Sequence, residues 1–295
     1  MARRRKNNTN YKFISSLILI CILVLYFFFA PGEESDLPVT VSGDDMYVHF
    51  IDVGQGDAAL IQTASGNLLI DAGTSDSIEA LTDYINALGV ETLDYAIFTH
   101  PHADHIGGAT AVLNTYTIKN VIMPNAVSTS ATFEKMLAAI EAEQCEVIEG
   151  KAGVSFSMGE VQVDLLAPVS DDFSDLNNAS VVTKITYGNV SFLFTGDAET
   201  SSESEMLEQN AAKLNADILK VGHHGSSTSS SVKFLSAVSP EVAVVSVGLY
   251  NEYGHPHAEI VSRLEDTGAA IYRTDKNGSV VIYTDGTKYE IQTKK

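Results

Sequence analysis

His100-Pro101-His102-Ala103-Asp104-His105-Ile106-Gly107-Gly108 places three imidazoles and a carboxylate within six residues and closes on a glycine pair. Neutral imidazole and carboxylate are the preferred non-thiolate ligands of zinc and related divalent ions. On an extended segment His100 and His102 alternate and so reach one side. Asp104 and His105 are adjacent, and at the first turn of a helix they aim at a second point nearby. Two neighbouring metals are the natural reading. The apolar run Tyr95-Ala96-Ile97-Phe98 before the motif and the glycines after it argue against a chance cluster of solvated histidines.

Working outward, strand spacing covers Tyr47–Val53, Ala58–Gln62, Leu68–Ile70 and Leu93–Phe98. Helical spacing in Ile78, Leu81, Ile85 and Leu88 stops at Gly89. A single helix is predicted from Asp104 to about Leu113, burying Ile106, Ala109, Val112 and Leu113. The second half repeats the rhythm, with strands at Val161–Leu166, Val181–Thr186, Ser191–Phe194, Ile218–Val221, Val242–Val247, Ser279–Tyr283 and Lys288–Gln292. Helices are expected near Glu203–Asn210, Val232–Ala237 and Ala258–Thr267. Two β-rich halves with interspersed helices suit two packed sheets with a helical layer on each outer face, an α/β fold.

The His-x-His-x-Asp-His run resembles the signature of the metallo-β-lactamase-fold hydrolases. Leu68–Gly73, Phe192–Asp197 and Lys220–Ser226 resemble later motifs of that superfamily, in order. Phe50-Ile51-Asp52-Val53-Gly54-Gln55-Gly56-Asp57, the His223-His224-Gly225-Ser226 run and Tyr253-Gly254-His255-Pro256 are similar to the hydrolase domain of competence-type DNA-uptake channel proteins. Surface phosphorylcholine esterases are similar too. The resemblance covers about residues 46 to 293 and implies an αββα sandwich of two mixed sheets with the site at one edge.

By that resemblance one metal takes His100 and His102, the second takes Asp104, His105 and His223, and Asp197 bridges them. Many relatives supply a further histidine before the bridging aspartate, but residues 106 to 222 contain none. Asn178, in Asp175-Leu176-Asn177-Asn178-Ala179-Ser180, is the expected stand-in. A neutral oxygen is harder than imidazole, which weakens zinc there and favours manganese. The cofactors implied are two divalent metal ions, zinc or manganese. Such a pair lowers the pKa of a water towards neutrality and stabilises charge on the attacked centre.

His224, Ser226, Ser229 and His255 are expected to hold non-bridging oxygens. His224 or His255 would protonate the leaving group, and Asp104 sits among the catalytic groups. Asp71 is expected to support the metal-bearing loop, with Asp52 and Asp57 shaping the Gly54-Gln55-Gly56 turn behind the ligands. His49, early in a strand, reads as structural, and His257 as a solvated helix-start residue.

The first residues stand apart. Arg3, Arg4, Arg5, Lys6 and Lys12 precede an uncharged apolar run from Phe13 to Ala30. Eighteen helical residues span about 27 Å, near the bilayer's hydrocarbon thickness. Residues 1–31 are therefore expected to form a basic cytoplasmic tail and a transmembrane signal-anchor, 32–45 a polar linker and 46–295 the hydrolase domain. The basic tail predicts a cell-membrane protein, single-pass, with its N-terminus inside and its catalytic domain outside. Phe27-Phe28-Phe29-Ala30 lacks a small residue three before a cut, so an uncleaved anchor is expected over a secreted form.

The 295 residues carry 18 Lys+Arg against 38 Asp+Glu. The tail holds five of those cations and none of the anions, leaving 13 against 38, a balance of −25. An extended nucleic-acid surface is not evident, because no Lys/Arg cluster follows residue 31. Cys21 and Cys145 lie too far apart in character to pair, and thiolate-ligated zinc is excluded. The expected function is a membrane-anchored, outward-facing dinuclear hydrolase of phosphodiesters, either nucleic acid or a small head-group ester such as phosphorylcholine. The competing readings are an amide or lactone hydrolase, β-lactam opening included, and a non-catalytic metal-stabilised binding module. No protein partner can be deduced.

Overall fold

The computed structural model describes residue 43 and residues 45–294 apart from 172 and 174. The expected anchor at 1–31 and most of the linker lie outside the described residues. Among the described residues no helix is long and apolar enough to cross a membrane.

Fifteen strands form two sheets. Strands β1 (Met46–Phe50), β2 (Ala59–Thr63), β3 (Gly66–Ile70), β4 (Thr92–Ile97), β5 (Thr117–Met123) and β6 (Glu146–Glu149) belong to the first. Strands β7 (Ser155–Met158), β8 (Val161–Ala167), β9 (Val182–Tyr187), β10 (Val190–Phe194), β11 (Ile218–Lys220), β12 (Val242–Val245) and β13 (Ala270–Arg273) make the second. The closing hairpin, β14 (Ser279–Thr284) and β15 (Tyr289–Lys294), returns to the first. The orders are β15-β14-β1-β2-β3-β4-β5-β6 and β13-β12-β11-β10-β9-β8-β7. Each sheet is mixed: β3 to β6 run parallel in the first, as do β10 to β13 in the second, and the remaining pairs are antiparallel.

Alternation along the strands sorts the side chains into three apolar layers. Val48, Phe50, Ile61, Leu68, Ile70 and Ile97 face Val163, Leu165, Ile185, Phe192 and Phe194 between the sheets. Phe50 and Phe194 stack across that interface, ring centroids 5.5 Å apart. Each fully buried side chain of this size contributes about 1.5–3 kcal/mol. The other face of the first sheet takes α1 (Ile78–Ala87), α2 (Ala103–Ile106), α3 (Ala109–Thr115) and α4 (Ala131–Glu143). The other face of the second takes α5 (Thr200–Gln209), α6 (Val232–Val238) and α7 (Ala258–Thr267). These are the αββα layers expected from the sequence. A last turn, α8 (Thr274–Asn277), precedes β14.

The single helix expected over residues 104 to 113 is two helices, broken at Gly107-Gly108. A Cβ on Gly107 would lie 2.4 Å from the Ala103 carbonyl oxygen and 2.5 Å from the Ser75 nitrogen. One on Gly108 would lie 2.3 Å from the Ala72 carbonyl oxygen. The glycines thus admit the backbone of residues 72–75 against the metal-motif loop, and the helix yields to that contact. Strands β6, β7 and β13, which the sequence reading did not assign, are short, and the first two are largely exposed, so hydrophobic alternation is weak there.

His49 is buried on β1, its Nδ1 3.0 Å from the Tyr84 hydroxyl. Burial holds its pKa down to about 4. An imidazole kept neutral in the fold but free to protonate in the unfolded chain costs stability as pH falls from about 6.5 towards 4. The shift corresponds to roughly 3 kcal/mol. Denaturant unfolding at pH 7 and pH 4 should show wild type losing about that much more than His49→Phe; equal losses would exclude His49 as the source.

Candidate metal centre

Both sheets finish their parallel strands at one edge, and the polar residues of interest leave from those ends. Asp71 follows β3, His100 follows β4, Asp197 follows β10, His224 follows β11 and Ser246 follows β12. Open α/β sheets place their ligand sites at such carboxyl ends.

Asp104, His105, Asp197 and His224 each offer an atom, and these four atoms lie within 4.8 Å of one another. His105 Nε2 is 3.2 Å from Asp197 Oδ1, and His224 Nε2 is 3.3 Å from Asp104 Oδ2 and 3.7 Å from Asp197 Oδ2. His105 Nε2, His224 Nε2 and Asp197 Oδ1 are buried and make no hydrogen bond. Buried polar atoms are normally paired, so a convergent unpaired set of imidazole nitrogens and carboxylate oxygens is what a divalent cation requires. The donor set fits the group.

The imidazoles are aimed from behind. Asp71 accepts from Thr99 N (2.8 Å) and Thr99 Oγ1 (2.7 Å), and its Oδ2 takes His105 Nδ1 at 2.7 Å. His224 Nδ1 donates to the Ser246 carbonyl at 2.9 Å. Each bond places the ring proton on Nδ1 and leaves the Nε2 lone pair facing the cluster. Asp71, expected to support this loop, is where that role needs it.

His100 and His102 face one another beside this group, Nε2 to Nδ1, at 3.1 Å. His100 Nε2 lies 3.8 Å from Asp197 Oδ2. Asp197 therefore stands between the two histidine sets. The electrostatics favour positive charge there. Burial opposes ionisation of Asp197, but His105 and His224 outweigh it and hold the carboxyl well below its usual range. Burial likewise opposes charge on His224, and Asp197 and Asp57 overcome it, pushing that imidazole up to about 10, so that a cation at the centre would take the place of its Nε2 proton.

Three expectations change. His223 was expected in the cluster and His224 outside it; the geometry exchanges them. His223 and His224 both adopt left-handed backbone, with φ 48° and 52°, which ends the alternation of β11 and turns the second imidazole inward. His223 is half-buried, its Nδ1 3.0 Å from Thr228 Oγ1 and 3.5 Å from Glu199 Oε1, its Nε2 3.7 Å from Asp197. Asn178 is not turned to the centre: its Oδ1 accepts from Glu199 N and Ser202 N, both at 3.2 Å, and so caps α5. Ser229 is buried and donates to the Ala198 carbonyl at 2.8 Å, which commits its hydroxyl to backbone instead of substrate.

Other placements follow the expectations more loosely. Ser226 Oγ pairs with Thr228 Oγ1 at 3.1 Å. His255 is half-buried, with its ring 5.6 Å from that of His223 and its Nδ1 unpaired; burial pulls its pKa down to about 4. Asp52 accepts from Gly54 N at 3.1 Å, shaping the turn. His257 precedes α7 and its Nδ1 accepts from Ser227 N at 2.9 Å.

Asp57, Asp71 and His105 also bring ligand atoms within 4.8 Å of one another. Their charge is already met, however. Lys220, buried, contacts Asp57 directly, and Thr99 satisfies Asp71. That trio is internal scaffolding. Sequence reading missed Lys220, Thr99 and Ser246, and also Ser180, whose Oγ lies 3.3 Å from His100 Nδ1 and accepts from Asp197 N at 3.0 Å. Only their adjacency to recognised motifs marked them.

An αββα sandwich with this cluster of potential metal ligands at its strand ends is the metallo-β-lactamase fold. The chain belongs to the metallo-β-lactamase superfamily, whose profile matches residues 51–249. It is 32% identical over 251 residues to ComE operon protein 3 of Bacillus subtilis, covering 79% of this chain and 32% of that one. It is 34% identical over 253 residues to competence protein ComA of Neisseria gonorrhoeae, covering 84% and 34%. The chain spans about a third of the length of these relatives. Among solved structures, the metallo-β-lactamase fold protein YhfI of Bacillus subtilis superposes with a TM-score of 0.55 at 14% identity, over 82% of this chain and all of that one. The competence-type resemblance read from the motifs is thereby supported.

Proposed function

We propose that the chain is an outward-facing phosphodiesterase tethered to the cell membrane by residues 1–31. The reading is carried by the convergence of Asp104, His105, Asp197 and His224 on one point, with His100 and His102 adjacent. These residues would hold two divalent ions, zinc or manganese, which when bound supply Lewis acidity and an activated water. Asp71 and Ser246 keep the Nε2 atoms of His105 and His224 turned inward.

Two imidazoles, His223 and His255, border the ligand group without joining it, and a phosphoryl centre with two non-bridging oxygens needs more donors than a carbonyl does. His223, backed by Thr228 and Glu199 on Nδ1, is positioned to pass a proton at Nε2 to the leaving oxygen. His255, neutral at physiological pH, donates a hydrogen bond to a phosphoryl oxygen. The competence-named relatives support a nucleic-acid substrate, whereas the −25 balance of the chain beyond its tail supports a small head-group diester. The basic tail and apolar run support the anchor.

Purified protein with manganese or zinc is expected to cleave bis(p-nitrophenyl) phosphate, and chelation should abolish the activity. Plasmid and single-stranded DNA assayed beside it divide the two substrate classes. Turnover of nitrocefin with every phosphodiester left intact would overturn the proposal.

A further inference from the structure

The loop between Val247 and His255 has no role in holding the centre, yet it borders it. Three of the seven exposed large apolar side chains among the described residues fall within five of its positions: Leu249 is 62% exposed, Tyr250 93% and Tyr253 65%. Single exposed apolar residues are ordinary, but a group beside a site is not. The loop is also fixed. Asn251 Nδ2 donates to the Gly248 carbonyl (3.0 Å) and the His255 carbonyl (2.7 Å), while its Oδ1 accepts from His255 N (3.0 Å). Gly248 N in turn donates to Gln55 Oε1 at 3.1 Å, tying the loop to the Gly54-Gln55-Gly56 turn.

Tyr250 takes a left-handed backbone, φ 56°, which is unfavourable for an aromatic residue. The fold thus holds a tyrosine in a costly conformation and gains no burial from its ring. Tyr253 stacks on His255 at 5.5 Å and 23°, and His255 lies 6.4 Å from His224 at 26°. Nearly parallel rings therefore lead from the buried cluster to solvent. From Val247 to His257 there is no Lys or Arg, and Glu252 sits between the two tyrosines. Nothing in the loop suits a second phosphate. A flat ring suits it well, because tyrosine faces bind rings by offset stacking.

We propose that Tyr250 and Tyr253 form a specificity platform that stacks on a flat, ring-bearing ester group of the substrate beside its phosphoryl centre; this rests on the phosphodiesterase reading. The probes are phenyl phosphate, methyl phosphate and phosphorylcholine, as competitive inhibitors of bis(p-nitrophenyl) phosphate hydrolysis by the metal-loaded protein. Phenyl phosphate should inhibit wild type about tenfold more tightly than methyl phosphate, the size of one stacking contact. In Tyr250→Ala/Tyr253→Ala the two inhibition constants should converge to within about twofold. Tyr250→Phe/Tyr253→Phe should restore the preference, which a structural role for the hydroxyls would not allow. An alanine pair that keeps the tenfold preference overturns the platform. So does a loss confined to phosphorylcholine, which would assign the loop to a cationic group through its ring faces. If wild type leaves the diester intact, the phosphodiesterase reading fails by itself, and calorimetric binding of phenyl against methyl phosphate still decides the platform.

Discussion

Asp197→Ala is expected to strip the centre of metal and lower phosphodiester turnover at least about a thousandfold, the several kcal/mol that metal assistance supplies. Its carboxylate is approached by four imidazoles: His105 at 3.2 Å, His223 and His224 at 3.7 Å and His100 at 3.8 Å. It joins the His100–His102 pair to the Asp104–His105–His224 group, so its loss separates the two. A neutral Asp197→Asn should fail in the same way, since the missing element is the charge that draws cations inward. His224→Ala should likewise lose metal. His223→Ala should keep it and lose only the proton-transfer share of the rate, about a hundredfold or more. Elemental analysis of each variant alongside its turnover separates these outcomes. An Asp197→Ala protein with full metal content and full activity would show that the centre is assembled elsewhere.

The contrast between His223 and His224 also marks how far the sequence could be read. The layers were legible because strand alternation and helical spacing are local, and because burial on both faces of each sheet demands them. The His-x-His-x-Asp-His loop was legible because so dense a ligand group has few structural explanations. The choice between two adjacent histidines was not, since it depends on consecutive left-handed residues after β11 that no local preference announces. Asn178 misled for a related reason. Its place in the chain suited a ligand, but the start of α5 lies close enough in space to claim both lone pairs of its amide oxygen. Ser229 read as a substrate contact; its hydroxyl instead donates to the Ala198 carbonyl, and the neighbouring Ser230 N and Ser231 N bind the Glu203 carboxylate. Long-range backbone neighbours decided each case.

Lys220 is the case in which the tertiary environment should have the largest effect on stability. It is the one Lys or Arg counted as buried among the described residues, 3% exposed, and it contacts Asp57 while its Nζ lies 3.4 Å from the Gly196 carbonyl. Burial opposes the Asp57 carboxylate, and the Lys220 ammonium overcomes it, holding that group below the usual carboxylate range. Asp57 also fastens the surrounding loops through its backbone, donating to the Asp104 carbonyl at 3.1 Å and accepting from Gly73 N at 2.8 Å. Lys220→Met would leave the buried carboxylate facing only His224 Nδ1, at 3.3 Å, and His105 Nδ1, at 3.9 Å; the loss should reach up to the about 3–5 kcal/mol of breaking a buried pair, whereas replacing both partners is far better tolerated. Chelated protein should therefore unfold at much lower denaturant in Lys220→Met, and Asp57→Asn added to it should recover at least half of the loss. Chelation matters because bound metal would otherwise add its own stabilisation to every variant. Measuring all four proteins at pH 7 closes a double-mutant cycle, whose coupling term reports the pair and not the lost packing of the lysine stem. Acid should erase the difference: a depressed carboxylate contributes above its unfolded pKa of about 4 and loses that contribution as pH falls through its lower folded value. Additive losses in the cycle would mean that Lys220 serves the fold through its methylenes, with its charge answered by another group.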